Sequence, residues 1–233
     1  MPSSFTTYND HDHDGDHGEA SFRAWLGSEL AQQPGAERYP EVFAGALEAI
    51  VGWRRRFQGN PRLWLRLFKP EKVLKELVES APILDAVSTF VAETSLEAGQ
   101  KVTIVDLASG KGFLSMFCSE MLPPERVEKL ILVDKMWPRC GAAEVLPHQM
   151  NWEHIYGSND GAFEYYDTWP IRLHTSKQDL KSGATLRQMR RVIFDRSNGP
   201  VCLLAVHLCG TLSLRALDLF NDNPDRAVSF PGG

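Results

Sequence analysis

Three aspartates, a pair of glycines and a histidine stand where this chain could do chemistry. Asp106 ends the apolar run "KVTIVDLA" and is followed by Ala108, Gly110 and Gly112 in "ASGKG". Asp134 ends a second run, "LILVD", 24 positions after Gly110. Asp179, in "TSKQDL", follows a third and weaker run, and His207, in "AVHLCG", follows a fourth. A glycine turn between a strand and a helix usually takes phosphate, because free backbone N–H groups and the helix dipole favour an anion there. Two such loops are excluded by spacing. The Walker pattern G-x-x-x-x-G-K-[ST] is absent, since Lys111 falls between the glycines. The dinucleotide pattern G-x-G-x-x-G is met at Gly110 and Gly112 but has Ser115 in third place. In both alternatives a carboxylate at Asp106 would repel the pyrophosphate.

A ligand without phosphate, carrying positive charge and hydroxyls, turns that repulsion into attraction. S-adenosylmethionine has a sulfonium, an ammonium, a ribose diol and an adenine. Asp106 then favours the cationic methionine end, and Ala108, Gly110 and Gly112 let the backbone approach closely. Asp134 lies close to the ~20-residue spacing expected of a ribose-binding acid, and Asp179 is placed to meet the adenine amino group. Each acid also has a plainer reading: Asp106 caps the turn, Asp134 is a surface acid, and Asp179 caps a helix.

The elements that position these residues are legible from periodicity. "KVTIVDLA", "EKLILVDK", "IRLHTS" and "PVCLLAVHL" read as strands, the first buried on both faces. "GFLSMFCSEML", "PRCGAAEVLPHQM", "LRQMRRVIFDR" and "LSLRALDLF" read as helices between and after them. Strands alternating with helices imply right-handed crossovers and a parallel sheet. Ahead of this unit, residues 20–98 read as short helices. A cap at Ser21 opens the first, Pro61, Pro70 and Pro82 each mark a fresh start, and the last runs to Gly99. Val42, Leu47, Ile50 and Val51 share one face. Residues 1–19 read as a disordered tail whose histidines and aspartates bind a divalent metal loosely at most.

Composition sets the outer limits. The chain has 233 residues, 43% of them hydrophobic, enough for a sizeable core with a helical extension. A net charge of −5 argues against non-specific polyanion binding by the whole surface. Cys118, Cys140, Cys202 and Cys209 form no C-x-x-C pair, so they read as buried thiols rather than a zinc site. No run approaches the ~18–20 apolar residues of a membrane span, and no secretory signal is visible. The expected location is therefore intracellular, cytoplasmic or nuclear, with no membrane or DNA partner. One stretch departs from the acidic average: "WRRRFQGNPRLWLRLFK" interleaves Arg54, Arg55, Arg56, Arg62, Arg66 and Lys69 with Trp53, Phe57, Trp64 and Phe68. Such a stretch either binds nucleic acid by charge and stacking or forms a helix pair with its rings inside and its cations outside.

"VDLASGKGFLS", "ILVDK", "KQDL" and "AVHLCGTLSLRALDLF" resemble class I S-adenosylmethionine-dependent methyltransferases over about Lys101 to Phe220. More narrowly, the pattern from Asp106 to Ser115 together with "HLCG" is similar to a eukaryotic branch that includes tRNA ribose 2′-O-methyltransferases. The resemblance implies an α/β, Rossmann-like doubly wound parallel sheet over residues 99–233, with strand order 3-2-1-4-5-7-6. It implies S-adenosylmethionine as cofactor, held by Asp106, Ala108, Gly110, Gly112, Asp134 and Asp179. It puts His207, Leu208, Cys209 and Gly210 beside the methyl group, with His207 as general base for a hydroxyl acceptor or as a polar residue shaping the pocket. RNA is the leading acceptor. With four strands and a stub at "RAVSF", the sheet is expected to be incomplete at the C-terminus and the enzyme to turn over poorly. The competing expectations are a non-catalytic protein with a vestigial α/β half that binds RNA or protein, and a nicotinamide oxidoreductase, against which Asp106 and Ser115 both count.

Overall fold

The structure is a computed structural model, and it describes residues 15–139, 145–157, 163–206, 208, 210–224 and 227–228. Four helices come first: α1 (Gly15–Ala31), α2 (Pro40–Arg56), α3 (Pro61–Leu67) and α4 (Pro70–Glu93). Strands and helices then alternate: β1 (Val102–Leu107), α5 (Phe113–Met121), β2 (Val127–Asp134), α6 (Glu153–Tyr156), β3 (Leu173–Lys177), α7 (Gly183–Met189), β4 (Val201–Leu204), α8 (Thr211–Asn221) and the two-residue β5 (Ala227–Val228). The strands pair in the order β3-β2-β1-β4-β5, and every pairing is parallel. The fold is thus α/β with a parallel sheet behind a helical section, an arrangement consistent with a Rossmann-like fold.

β1 is buried along its whole length because both faces of the sheet are covered. Alternation divides its side chains. Ile104 packs with the first four helices and α5, while Val105 and Leu107 pack with Met189, Phe194 and Leu219 on the other face. Asp106, in phase with Ile104, must therefore point toward α5. Parallel register puts Asp106 opposite Leu132 of β2 and Leu204 of β4, and Asp134 opposite Lys177 of β3. The acids predicted at strand ends consequently lie along one edge of the sheet.

The helical section is not a separate layer. Its buried residues, from Phe22 to Val91, form one continuous core with Phe113, Phe117 and Leu132. Polar contacts cross the same seam. Arg56 donates to Glu120 at 2.6 Å with both side chains mostly buried, and Arg126 donates to the carbonyls of Val91 and Thr94.

Several boundaries differ from expectation. α1 begins at Gly15, so the last residues of the predicted tail are helical, and Glu19 is held by Arg55 at 2.8 Å. Pro61 and Pro70 open helices as predicted, but Pro82 lies inside α4. Proline there removes one backbone donor, yet Leu77, Ala81, Leu84 and Val87 on both sides of it are buried in one core, and that burial keeps the helix continuous. α4 ends at Glu93 rather than near Gly99, which instead supplies a turn with φ +80°. The described part of "PRCGAAEVLPHQM" is turn rather than helix, consistent with its two prolines. The metal-binding reading of His11, His13, His17 and the neighbouring aspartates rests on side chains outside the described ones. Among the described residues no helix is long and apolar enough to cross a membrane.

Candidate functional site

The turn from Ala108 to Gly112 is built against the ends of three elements. Ala108 takes φ +57°, a left-handed conformation that costs a side chain about 1 kcal/mol. Gly110 and Gly112 follow at φ +53° and +83°. Gly112 has a second reason to be glycine: a Cβ there would overlap Cδ2 of Leu132 on β2. A Cβ on Gly110 would meet nothing within 4 Å, so the space beside that residue is open. Backbone bonds tie the turn down, from Ser109 N–H to Val133 O (3.1 Å) and from Gly112 N–H to Ser109 O (2.9 Å).

Two side chains finish the restraint. Asp134, half-buried at the tip of β2, accepts from Gly110 N–H at 3.2 Å through one oxygen and from Met136 N–H at 2.8 Å through the other. On the other side, His154 of α6 donates from Nε2 to the Lys111 carbonyl at 2.8 Å. The imidazole is 4% exposed, and its burial lowers the pKa to about 4, so at neutral pH it is uncharged with its proton on Nε2. Trp137 adds an indole N–H to Ser109 Oγ at 3.2 Å.

Between this turn and α4 lies a cavity of about 520 Å³, within the usual range for small-molecule sites. Asp106, Gly110 and Phe113 line it from the turn, Lys72 and Glu76 from α4, and Val206 from the segment after β4. Asp106 is 4% exposed and accepts from Ser115 Oγ at 2.8 Å. Burial raises its pKa to about 7, opposed by the serine and reinforced by the charge of Asp134. A carboxyl group held at that point takes a full charge readily when a cation arrives beside it.

Of the predicted residues, the structure brings Asp106, Ala108 and Gly110 to the cavity wall and places Gly112 at the start of α5. Asp134 holds the turn from the neighbouring strand. Asp179 is exposed, accepts from Lys181 N–H at 3.0 Å and forms the turn leading into α7; it is not part of the cavity wall. Its carboxylate thus closes a local turn, and the N-cap of α7 is Ser182 rather than Asp179. His207 and Cys209 lie outside the described residues. Val206, the preceding residue, does line the cavity, and Gly210, at φ +59°, precedes α8.

Sequence reasoning missed Ser115 and His154. In the sequence Ser115 stands out only as the residue in the third glycine position, yet in the first turn of α5 it faces β1 and donates to Asp106. His154 had no signal: nothing in "NWEHIY" says that its ring reaches a carbonyl 43 residues earlier. The surrounding segment is anchored by its rings, with Tyr156 against Trp152, Phe163 and Tyr166 and Phe57 against Tyr165.

The arginine–aromatic stretch is largely engaged inside the fold. Trp53, Phe57 and Trp64 are buried. Arg54 stacks over Phe22 and donates to Gly18 O, Arg55 pairs with Glu19, Arg56 with Glu120 and Arg66 with Glu153. Cys118 and Cys202 are buried thiols whose pKa burial drives upward. A second cavity, of about 470 Å³, opens between α2 and α4 beside Glu48, Asp85 and Glu120, but no strand-end residue lines it. Comparisons of the chain with protein-family models, curated proteins and solved structures gave no match.

Proposed function

We propose that this protein binds S-adenosylmethionine against the turn between β1 and α5 and transfers its methyl group, with an RNA hydroxyl as the leading acceptor. The observation that carries the reading is the cavity itself: an open space at the strand ends whose wall includes a buried carboxyl group, Asp106, on the strand that leads into a turn with two left-handed glycines. A carboxyl group at that point disfavours pyrophosphate beside it and favours the cationic end of a ligand there, while Lys72, Lys75 and Lys111 line the same cavity. The cavity also supports the finer description of the sheet as a Rossmann-like doubly wound unit, in which ligands sit at the carboxyl ends of the strands.

The residues present fit the group. Asp106 becomes fully ionised against the cationic methionine end. Gly110 leaves room for close approach of the ligand. Asp134, already fixed by two backbone N–H groups, keeps lone pairs for ribose hydroxyls. When bound, the sulfonium supplies an activated leaving group for an in-line displacement at carbon. The chain's own work is then to hold the donor, align the acceptor and exclude water. The Asp134 and His154 bonds keep the turn in one shape before any ligand arrives, which reduces the ordering cost of binding.

The alternative, a non-catalytic RNA-binding protein, rested on the arginine–aromatic stretch, and four of its six cations are engaged within the fold. The discriminating experiment incubates the chain with methyl-labelled S-adenosylmethionine and total cellular RNA or protein. Label is expected in an RNA fraction and is expected to vanish with Gly110→Arg. Transfer to no fraction, with salt-dependent RNA retention surviving Gly110→Arg, would reverse the choice.

A further inference from the structure

In a chain of net charge −5, residues 181–200 carry five cations, Lys181, Arg187, Arg190, Arg191 and Arg196, against one acid, Asp195. Arg187, Arg190 and Arg191 stand three and four apart, so they share the outer face of α7 and of the π-helical turn that continues it over Arg190–Phe194. On the opposite face Met189 and Phe194 are fully buried. Those two are five apart, the spacing that a π turn brings onto one face, and Asp195 N–H donates to the Arg190 carbonyl at 3.0 Å, five residues back. The widened turn thus keeps Arg190 and Arg191 outside, where both are exposed.

No side chain answers this charge. Elsewhere Arg23, Arg55, Arg56, Arg66, Arg172 and Arg215 each hold a carboxylate. Among the described residues, Arg187, Arg190, Arg191 and Arg196 have no such partner. Like charges three and four apart on one helix face are destabilising, and an anion laid along them removes that repulsion.

The neighbours decide which anion. The other exposed residues of α7 are Gly183, Ala184 and Gln188, so this face offers no large apolar side chain. A helix that lies on a membrane needs apolar side chains to insert, and a protein interface is anchored by large buried ones. A nucleic-acid backbone needs neither, since it is held by cations on its phosphates. We infer that the ridge of Arg187, Arg190 and Arg191 is a docking surface for RNA, gripped through its phosphodiester backbone. The ridge lies on the sheet face away from the first four helices, over Val105 and Leu107, and no residue of α7 lines either cavity. Lys181 precedes α7, Lys177 ends β3 and Lys135 follows β2, the strand between β3 and β1; all three are exposed. A strand lying on α7 is thereby led across the strand tips toward the cavity, with Asp179 and Asp195 as exposed acids along it. The choice of RNA rests on the reading of the cavity as the donor site for an RNA acceptor; the anion-binding ridge does not.

The test measures binding of a labelled single-stranded RNA of twelve nucleotides to the full chain by fluorescence anisotropy over a series of salt concentrations. Wild type is compared with Arg187→Gln, Arg190→Gln, Arg191→Gln, the triple variant and a charge-matched control that combines Arg38→Gln, Arg62→Gln and Lys69→Gln, exposed positions outside α7. Folding of each variant is verified by its unfolding transition. Each single ridge variant is expected to flatten the slope of log affinity against log salt by about 0.7, and the triple by about 2, with S-adenosylmethionine affinity unchanged. The control is expected to keep the wild-type slope. No RNA binding by wild type at low salt, or an equal loss in the control, overturns the surface. Polyglutamate, anionic lipid vesicles or a DNA strand of the same sequence bound more tightly than the RNA overturns the choice of partner. Ridge-dependent RNA binding without any S-adenosylmethionine binding supports the surface and refutes the donor reading alone.

Discussion

The residue on which the account turns is Asp106. A buried carboxyl group with one serine donor sits near the midpoint of its titration at neutral pH, because burial outweighs the single hydrogen bond. A cationic ligand must draw it fully into the charged form. S-adenosylmethionine affinity is therefore predicted to rise about tenfold between pH 6 and pH 8 as the ionised fraction grows. Binding near pH 7 should also release a proton, seen as a dependence of the calorimetric heat on the ionisation enthalpy of the buffer. Asp106→Asn should bind more weakly and lose the pH dependence. An affinity flat across this range in wild type would show that Asp106 does not face the cation. The sequence revealed the carboxylate and its place at a strand end, since alternation fixes which face it takes. It did not reveal the burial or Ser115, which depend on how α5 sits across the strand.

At the scale of the element, the turn between β1 and α5 is rigid because three independent contacts fix three successive residues: Asp134 on Gly110, His154 on Lys111 and Leu132 against Gly112. Gly112→Ala combines a left-handed backbone with overlap on Leu132. It is predicted to lose about 2–4 kcal/mol of stability, read as the shift in the urea unfolding midpoint, and a loss under ~0.5 kcal/mol would mean that the turn relaxes freely. β1, β2 and β4 were legible because fully buried strands leave unbroken apolar runs. The interior position of Pro82 was not, because local punctuation cannot register the tertiary burial that holds α4 together on both sides of it. Asp179 shows the same limit: its place after the third strand was legible, but its carboxylate's bond to Lys181 N–H was not.

Across the whole molecule, two buried titrating groups pull stability in opposite directions. Asp106 has its pKa raised from 3.8 to about 7, so its protonated form favours the fold, and its contribution is lost as pH rises from 4 through 7. His154 has its pKa lowered from 6.5 to about 4, so its contribution is present above 6.5 and is lost as pH falls toward 4. Each amounts to on the order of 3 kcal/mol and the two largely offset one another over this range. Asp106→Asn removes only the first. The variant is predicted to gain stability relative to wild type by on the order of 3 kcal/mol more at pH 8 than at pH 4, in urea unfolding at the two pH values. An equal offset at both would contradict the burial of Asp106. The helical section and the sheet share one core, so both should unfold in a single transition. The sequence showed these as two sections in series; that they form one body depends on long-range pairs such as Arg56 with Glu120, which no local pattern encodes.

The central claim is that the strand-edge cavity receives a sulfonium nucleoside. Its most direct test is calorimetric titration of S-adenosylmethionine into wild type, Asp134→Ala and Gly110→Arg at pH 8, with folding of each variant verified by its unfolding transition. The account predicts saturable one-to-one binding in wild type, weakened at least about tenfold by Asp134→Ala and abolished by Gly110→Arg. No saturable heat in wild type, or equal heat in folded Gly110→Arg, would contradict it.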